Sequence, residues 1–151
     1  MSWWIARTER TVTAEVPAAP EDVRAFYVDL DSLKVVHPLI VSVEELSRTE
    51  EANGYRQTSR VVDVVRLGPF RMRIAYVTRL HVPTTGDVHT EADQSPGVRL
   101  RGTVSFDETE GGTRVTERIT IAAPRPLAGY TVREAVKAHE AMLAGIRAHF
   151  A

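Results

Sequence analysis

Apolar and polar positions alternate from Thr11 to Val16, with Val12, Ala14 and Val16 on one side, the mark of a half-buried strand. The period then changes. Val23, Phe26, Tyr27 and Leu30 recur at i, i+3, i+4 and i+7, which predicts an amphipathic helix of about three turns. The stretch Pro17 to Asp22 suits its start, since proline needs no N–H partner there and Glu21 and Asp22 meet the positive end of the helix dipole. Asp31 or Ser32 can cap a second short helix, and Pro38 ends it by disfavouring helical geometry at His37.

From Leu39 to Ile121 the period is two, and the punctuation is regular. Asn53-Gly54, Gly68-Pro69, Pro83 to Gly86, Ser95-Pro96-Gly97 and Gly111-Gly112 are turn signals. Between them lie runs rich in Val, Ile, Thr, Tyr and Arg. Such short turns imply an antiparallel meander, because parallel neighbours need long crossovers. In the clearest run, Phe70, Met72, Ile74, Tyr76, Thr78, Leu80 and Val82 face one way, and Arg71, Arg73, Ala75, Val77, Arg79 and His81 the other. One face of the sheet is therefore covered and the other wet. The run from Tyr55 to Val64 leaves its direction open: Tyr55, Gln57 and Ser59 form one set, and Arg56, Thr58, Arg60, Val62 and Val64 the other.

Helical period returns from Pro126 to Ala151. Val132, Val136, His139, Leu143, Ile146 and Phe150 form one stripe, flanked by Ala135 and Met142. Thr131 to Glu134 fits a capping box, with a start one turn earlier near Leu127 as the alternative. The stripe needs an apolar surface, and the covered face of the sheet is the large one available.

Composition narrows the chemistry. A chain of 151 residues with 43% hydrophobic and 26% charged residues reads as one globular domain over 1–151. It has no cysteine, which excludes disulfides, thiol nucleophiles and thiolate metal sites. A net charge of −1 argues against nucleic-acid binding. That balance is uneven, because residues 1–51 carry −5, residues 52–101 carry +4, and the rest are neutral. Of the 19 basic residues only Lys34 and Lys137 are lysines. No signal peptide or membrane-spanning run is read, so the expected location is cytoplasmic, without membrane insertion. Walker, GxGxxG, GxSxG and HExxH motifs are absent, and no cofactor is implied.

The order strand, two helices, six strands, long helix resembles the helix-grip fold of the START and birch-pollen-allergen-like superfamily, also called SRPBCC. Within it the chain is similar to the bacterial polyketide cyclase/dehydrase and lipid-transport group. The resemblance rests on Val16 to Leu30, the His37-Pro38 step, Gly112-Thr-Arg-Val-Thr116 and the closing helix. It implies an α+β domain whose curved antiparallel sheet, of about seven strands, wraps the terminal helix around an apolar cavity, with the two short helices closing one end. These motifs are structural and identify a fold better than an activity.

Such a cavity would be lined by Phe70, Met72, Ile74, Tyr76, Thr78, Leu100, Val104, Glu117, Val132, Val136, His139, Met142, Leu143 and Ile146. Three of these carry chemistry. His139, within the helical stripe, suits proton transfer or donation to a ligand carbonyl; a core histidine satisfied by protein groups is the alternative. Glu117 shares its direction with Val115, Ile119 and Ile121, so it needs a partner such as Arg, His139 or a tyrosine; a one-residue bulge would turn it outward. Tyr76 lies on the apolar face. Tyr27 and His37 are expected to pack within the helical cap, and Trp3 and Trp4 to cover a sheet edge or meet a second copy in a homodimer. His81 and His89 pair across a turn but supply too few ligands for zinc, so no metal site is assigned.

Arg71, Arg73, Arg79, Arg99 and Arg101 fall on the wet face, either paired with Asp87, Glu91 and Asp93 or presented to an acidic protein partner. Three functions follow: carriage of a hydrophobic small molecule (lipid, polyketide or isoprenoid); cyclase/dehydrase catalysis through His139 with Glu117 or Tyr76; and protein interaction through the arginine face.

Overall fold

Every one of the Gly- and Pro-marked turns falls between two consecutive strands, and the meander follows from them. The structure, a computed structural model, describes residues 3–151. Strand β1 (Ile5–Val16) leads into helices α1 (Pro20–Val28) and α2 (Leu30–Val36). Six strands follow: β2 (Ile40–Glu51), β3 (Gly54–Leu67), β4 (Phe70–Pro83), β5 (Val88–Gln94), β6 (Val98–Thr109) and β7 (Gly112–Pro124). Helix α3 (Arg125–Phe150) closes the chain. All neighbours pair antiparallel in one sheet of order β1-β7-β6-β5-β4-β3-β2. This is the α+β helix-grip arrangement expected from the sequence.

Local chemistry explains the boundaries. Asp29 leaves helical geometry (φ −87°, ψ 100°), and its carboxylate accepts from the Asp31 N–H and the Ser32 hydroxyl. The second helix is therefore capped by Asp29, not by Asp31 or Ser32, and the periodic run 23–30 is cut into two short helices. His37 ends α2 in extended geometry, as Pro38 requires. Helix α3 starts at Arg125 directly after the strand, so Thr131 lies inside it and caps nothing. Proline in the first turn makes that early start inexpensive. Gly112 (φ +144°) opens β7 where the chain crosses the end of β1; a Cβ there would sit 2.2 Å from the Val16 carbonyl oxygen.

The helix does not lie centrally. It packs on β1 and β7, at one edge of the sheet. Val16, Val115, Ile121, Leu143 and Ile146 are at most 1% exposed in the core this makes, and α1 and α2 add Val23, Tyr27 and Leu33. Burying such side chains stabilises by roughly 1.5–3 kcal/mol each. The middle strands curve past the other side of α3 without packing on it, which leaves a space.

Candidate functional site

That space is a cavity of about 270 Å³, lined by α3, by β3 to β7 and by the two short helices. Most of its wall is apolar, including Leu33, Val61, Ile74, Leu80, Leu100, Val104, Ile119 and Met142. Two clusters of polar groups stand on the wall, apart from Thr90, Glu91, Gln94, Arg101, Tyr130, Thr131 and Glu134, which also line it.

The first cluster is built around Glu117. Register on both sides of β7 is unbroken from Thr113 to Ala122, so no bulge turns this residue outward. It faces in and is 1% exposed. A buried carboxylate is costly unless paired. Here it accepts a hydrogen bond from the Tyr27 hydroxyl, and His139 Nδ1 lies 3.1 and 3.2 Å from its two oxygens. Nδ1 therefore carries the hydrogen, because an ionised carboxylate can only accept. Nε2 of His139 is left without a protein partner among the described residues, and the ring lines the cavity at 22% side-chain exposure. Burial pushes the imidazolium of His139 down, but the charge and hydrogen bond of Glu117 outweigh it, so its pKa is raised.

His37 stands beside it, with ring centroids 6.5 Å apart. Its Nδ1 accepts the Leu39 N–H at 3.2 Å, which places the hydrogen on Nε2. Burial, then the neighbouring His139 charge, lowers its pKa to about 4. The wall thus holds one imidazole biased toward the cation and one kept neutral. Tyr27 is pushed well above its ordinary value by burial and by Glu117, so it stays a donor.

The second cluster is on the sheet. The Tyr76 hydroxyl donates to Asp63 Oδ1 at 3.1 Å. Burial raises the Asp63 carboxyl to about 6, against the hydrogen bond from Tyr76. Thr78 Oγ1, two residues along the same strand face, is buried with no hydrogen-bond partner among the described residues.

The sequence-derived lining residues divide. Ile74, Tyr76, Thr78, Leu100, Val104, Glu117, His139 and Met142 lie on the cavity wall. Phe70 and Met72 share the strand face of Ile74 but lie beyond the cavity, 72% and 44% exposed, because the β3–β4 hairpin outruns the strands beside it. Val132, Leu143 and Ile146 are buried in the core and Val136 packs against it, none of them on the cavity wall. The α3 residues on the wall are Tyr130, Thr131, Glu134, Ala135, Ala138, His139 and Met142, a face centred about 100° round from the predicted stripe, of which His139 alone stays on the wall. The physical reason is the off-centre seat of the helix: its most apolar stripe is spent on β1 and β7.

Sequence reasoning missed His37 and Asp63 as wall residues. Asp63 had a signal, an acid inside the run Val61-Val62-Asp63-Val64-Val65, but the facing of that strand was open. Pairing with β4 settles it, and Tyr55, Gln57, Ser59, Val61 and Asp63 face inward. Trp3 and Trp4 are exposed at 76% and 48%. On the wet face Arg79 pairs with Glu91 and Asp93, Arg99 with Asp93, and Arg101 with Glu91, while His81 and His89 stack with centroids 5.8 Å apart. No group of three side chains able to hold a metal occurs among the described residues. No helix among them is long and apolar enough to cross a membrane.

The family model for polyketide cyclase/dehydrase and lipid transport matches residues 7–151. No curated protein sequence matches the chain. Among solved structures, a protein of Thermus thermophilus is 24% identical, with a TM-score of 0.69 over 95% of this chain and 94% of that one. The Zhui aromatase/cyclase of a Streptomyces species is 19% identical (TM-score 0.67; 96% and 93% covered). A STAR-related lipid transfer protein of Xanthomonas axonopodis is 18% identical (TM-score 0.67; 99% and 95% covered). At these identities the likeness is one of fold.

Proposed function

Because the chain belongs to the polyketide cyclase/dehydrase and lipid-transport family, we propose that it binds a small hydrophobic molecule carrying at least one oxygen function, in the cavity between α3 and the sheet. The observation that carries this reading is the cavity itself: about 270 Å³, mostly apolar, with His139 presenting an unshared Nε2 from its wall. An apolar wall with few convergent polar groups provides affinity by burial and orientation by hydrogen bonding. His139 Nε2 is a donor when the ring is charged, and the Nε2–H of neutral His37 offers a second donor for a carbonyl, phenol or carboxylate oxygen.

Calorimetric titration with medium-chain fatty acids and polycyclic phenols tests it. Ala138, on the cavity wall and 7% exposed, marks the control. Ala138→Phe fills the space and is expected to weaken binding at least tenfold, or about 1.4 kcal/mol. Failure of the wild-type protein to bind any apolar probe would falsify the proposal.

A second reading is acid–base catalysis on such a ligand, favoured by the pairing of Glu117 with His139. The carboxylate holds the imidazole in one tautomer and supports its cation, so Nε2 can accept a proton from, or return one to, a ligand carbon or hydroxyl. Closure of a poly-carbonyl chain and loss of water need such a group, and confinement supplies much of the rest. His139→Ala separates the two readings. A carrier keeps its affinity within a few-fold, whereas an enzyme keeps binding and loses turnover of a β-keto thioester probe.

A further inference from the structure

The β3–β4 hairpin outruns its neighbours on both sides. The last β2 pair at this end is Ile40 with Asp63, and the first β5 pair is Val77 with Asp93. Residues 65–72 therefore form a two-stranded finger with no strand on either flank, reaching about 10 Å past the sheet. Its two faces differ. One carries Phe70 and Met72, exposed at 72% and 44% and continuous along β4 with Ile74 and Tyr76 of the cavity wall. The other carries Arg66 and Arg71, directly opposite each other, with Arg73 at the base.

Like charges paired across strands are destabilising unless something neutralises them. Residues 64–75 contain no acid, and none of these three arginines joins an ion pair among the described residues, unlike Arg79, Arg99 and Arg101 further along the sheet. An exposed phenylalanine and an uncompensated arginine pair at one projecting tip both call for a partner.

We propose that this finger docks the protein on an anionic phospholipid surface, with Phe70 and Met72 entering the boundary between headgroups and acyl chains and Arg66, Arg71 and Arg73 binding lipid phosphates. Opposite facing decides between partner classes. An acidic protein seated on the arginine face leaves Phe70 and Met72 in water; a medium that surrounds the tip satisfies both faces at once. The reach matches the roughly 5–10 Å depth to which interfacial segments settle. Arginine stems extend along the apolar layer while their planar heads stay at the phosphates. The apolar face of the finger then runs from the lipid surface to the cavity wall. Docking stands on the finger alone and does not depend on what the cavity holds.

Sedimentation of the whole protein with phosphatidylcholine vesicles, with and without phosphatidylglycerol, tests the proposal. The expected result is binding that requires phosphatidylglycerol and weakens with salt. Each arginine contributes about fivefold, so Arg66→Gln, Arg71→Gln and Arg73→Gln together reduce it on the order of a hundredfold. Phe70→Ser with Met72→Ser is expected to reduce it at least tenfold. Four of the five positions are on the finger and Arg73 is at its base, all five exposed, and unchanged thermal melting checks that the fold is intact. Three results overturn the proposal: no binding to phosphatidylglycerol vesicles, equal binding to phosphatidylcholine alone, or a loss that follows the arginines and ignores Phe70 and Met72. The last, with tight binding to polyglutamate, assigns the finger to an acidic protein.

Discussion

Asp63 and His37 oppose each other in their response to pH. The Asp63 carboxyl, raised from 3.8 to about 6, keeps a proton in the folded state that the unfolded chain has released between those values. Folding therefore loses up to about 3 kcal/mol of stability as pH rises through that window. His37, lowered from 6.5 to about 4, has the reverse effect. The unfolded chain takes the proton first, so about 3 kcal/mol is lost as pH falls from 6.5 toward 4. In the wild type the two slopes largely cancel. Asp63→Asn keeps an acceptor for the Tyr76 hydroxyl and removes one slope. Urea denaturation is expected to find this variant more stable by about 2–3 kcal/mol near pH 8, equal to wild type near pH 4, and steeply acid-sensitive between. A pH-independent difference would refute the assignment. His139 adds a third trend: its raised value means stability fully present below 6.5 and lost as pH climbs through the folded pKa. Legibility at this scale was uneven. Glu117 pointed inward by strand alternation, whereas its partner Tyr27 lies 90 residues away and no local pattern links them.

Elements were easier to read, because their signals are local. Turn residues placed the six strands of the meander, since Gly and Pro act through backbone geometry that needs no distant partner, whereas β1, read by alternation over Thr11–Val16, starts earlier at Ile5. The two short helices were expected but their boundary falls at Asp29, and α3 starts at Arg125, ahead of the capping box at Thr131 and two residues before the alternative start near Leu127, because capping competes with periodicity there. One contact between elements offers a direct test. Gly145 of α3 meets α2 so closely that a Cβ would sit 2.8 Å from Val36 Cβ and 3.2 Å from its carbonyl oxygen. Gly145→Ala gains about 1 kcal/mol of helix propensity and loses about 1–3 kcal/mol to overpacking, for an expected net loss of about 1 kcal/mol. His37 follows Val36 directly, so its imidazole resonances should move with those of His139 in the same variant. An unchanged spectrum with raised stability would show that α2 is not held by this contact.

For the whole molecule, topology governs the folding rate. Strand β1 pairs with β7, joining Ile5 to Pro124 and Val16 to Thr113, so the sheet edge that seats α3 closes only when the two ends of the chain meet. Loop closure of that length must precede its reward, and folding in milliseconds to seconds is expected by stopped-flow circular dichroism, not microseconds. The sequence by itself determined the element order, the antiparallel meander and the two faces of each clear strand, because all of these rest on periodicity and turn chemistry within a few residues; the family was legible only as a resemblance. Tertiary structure alone decided where α3 sits. By packing on β1 and β7 it turned the predicted stripe, His139 apart, into core, put a face about 100° round the helix onto the cavity, and gathered Tyr27, His37 and His139 around Glu117. The physical reason is that periodicity says which side of an element avoids water, and only the packing of distant elements says whether that side meets a neighbour or a cavity.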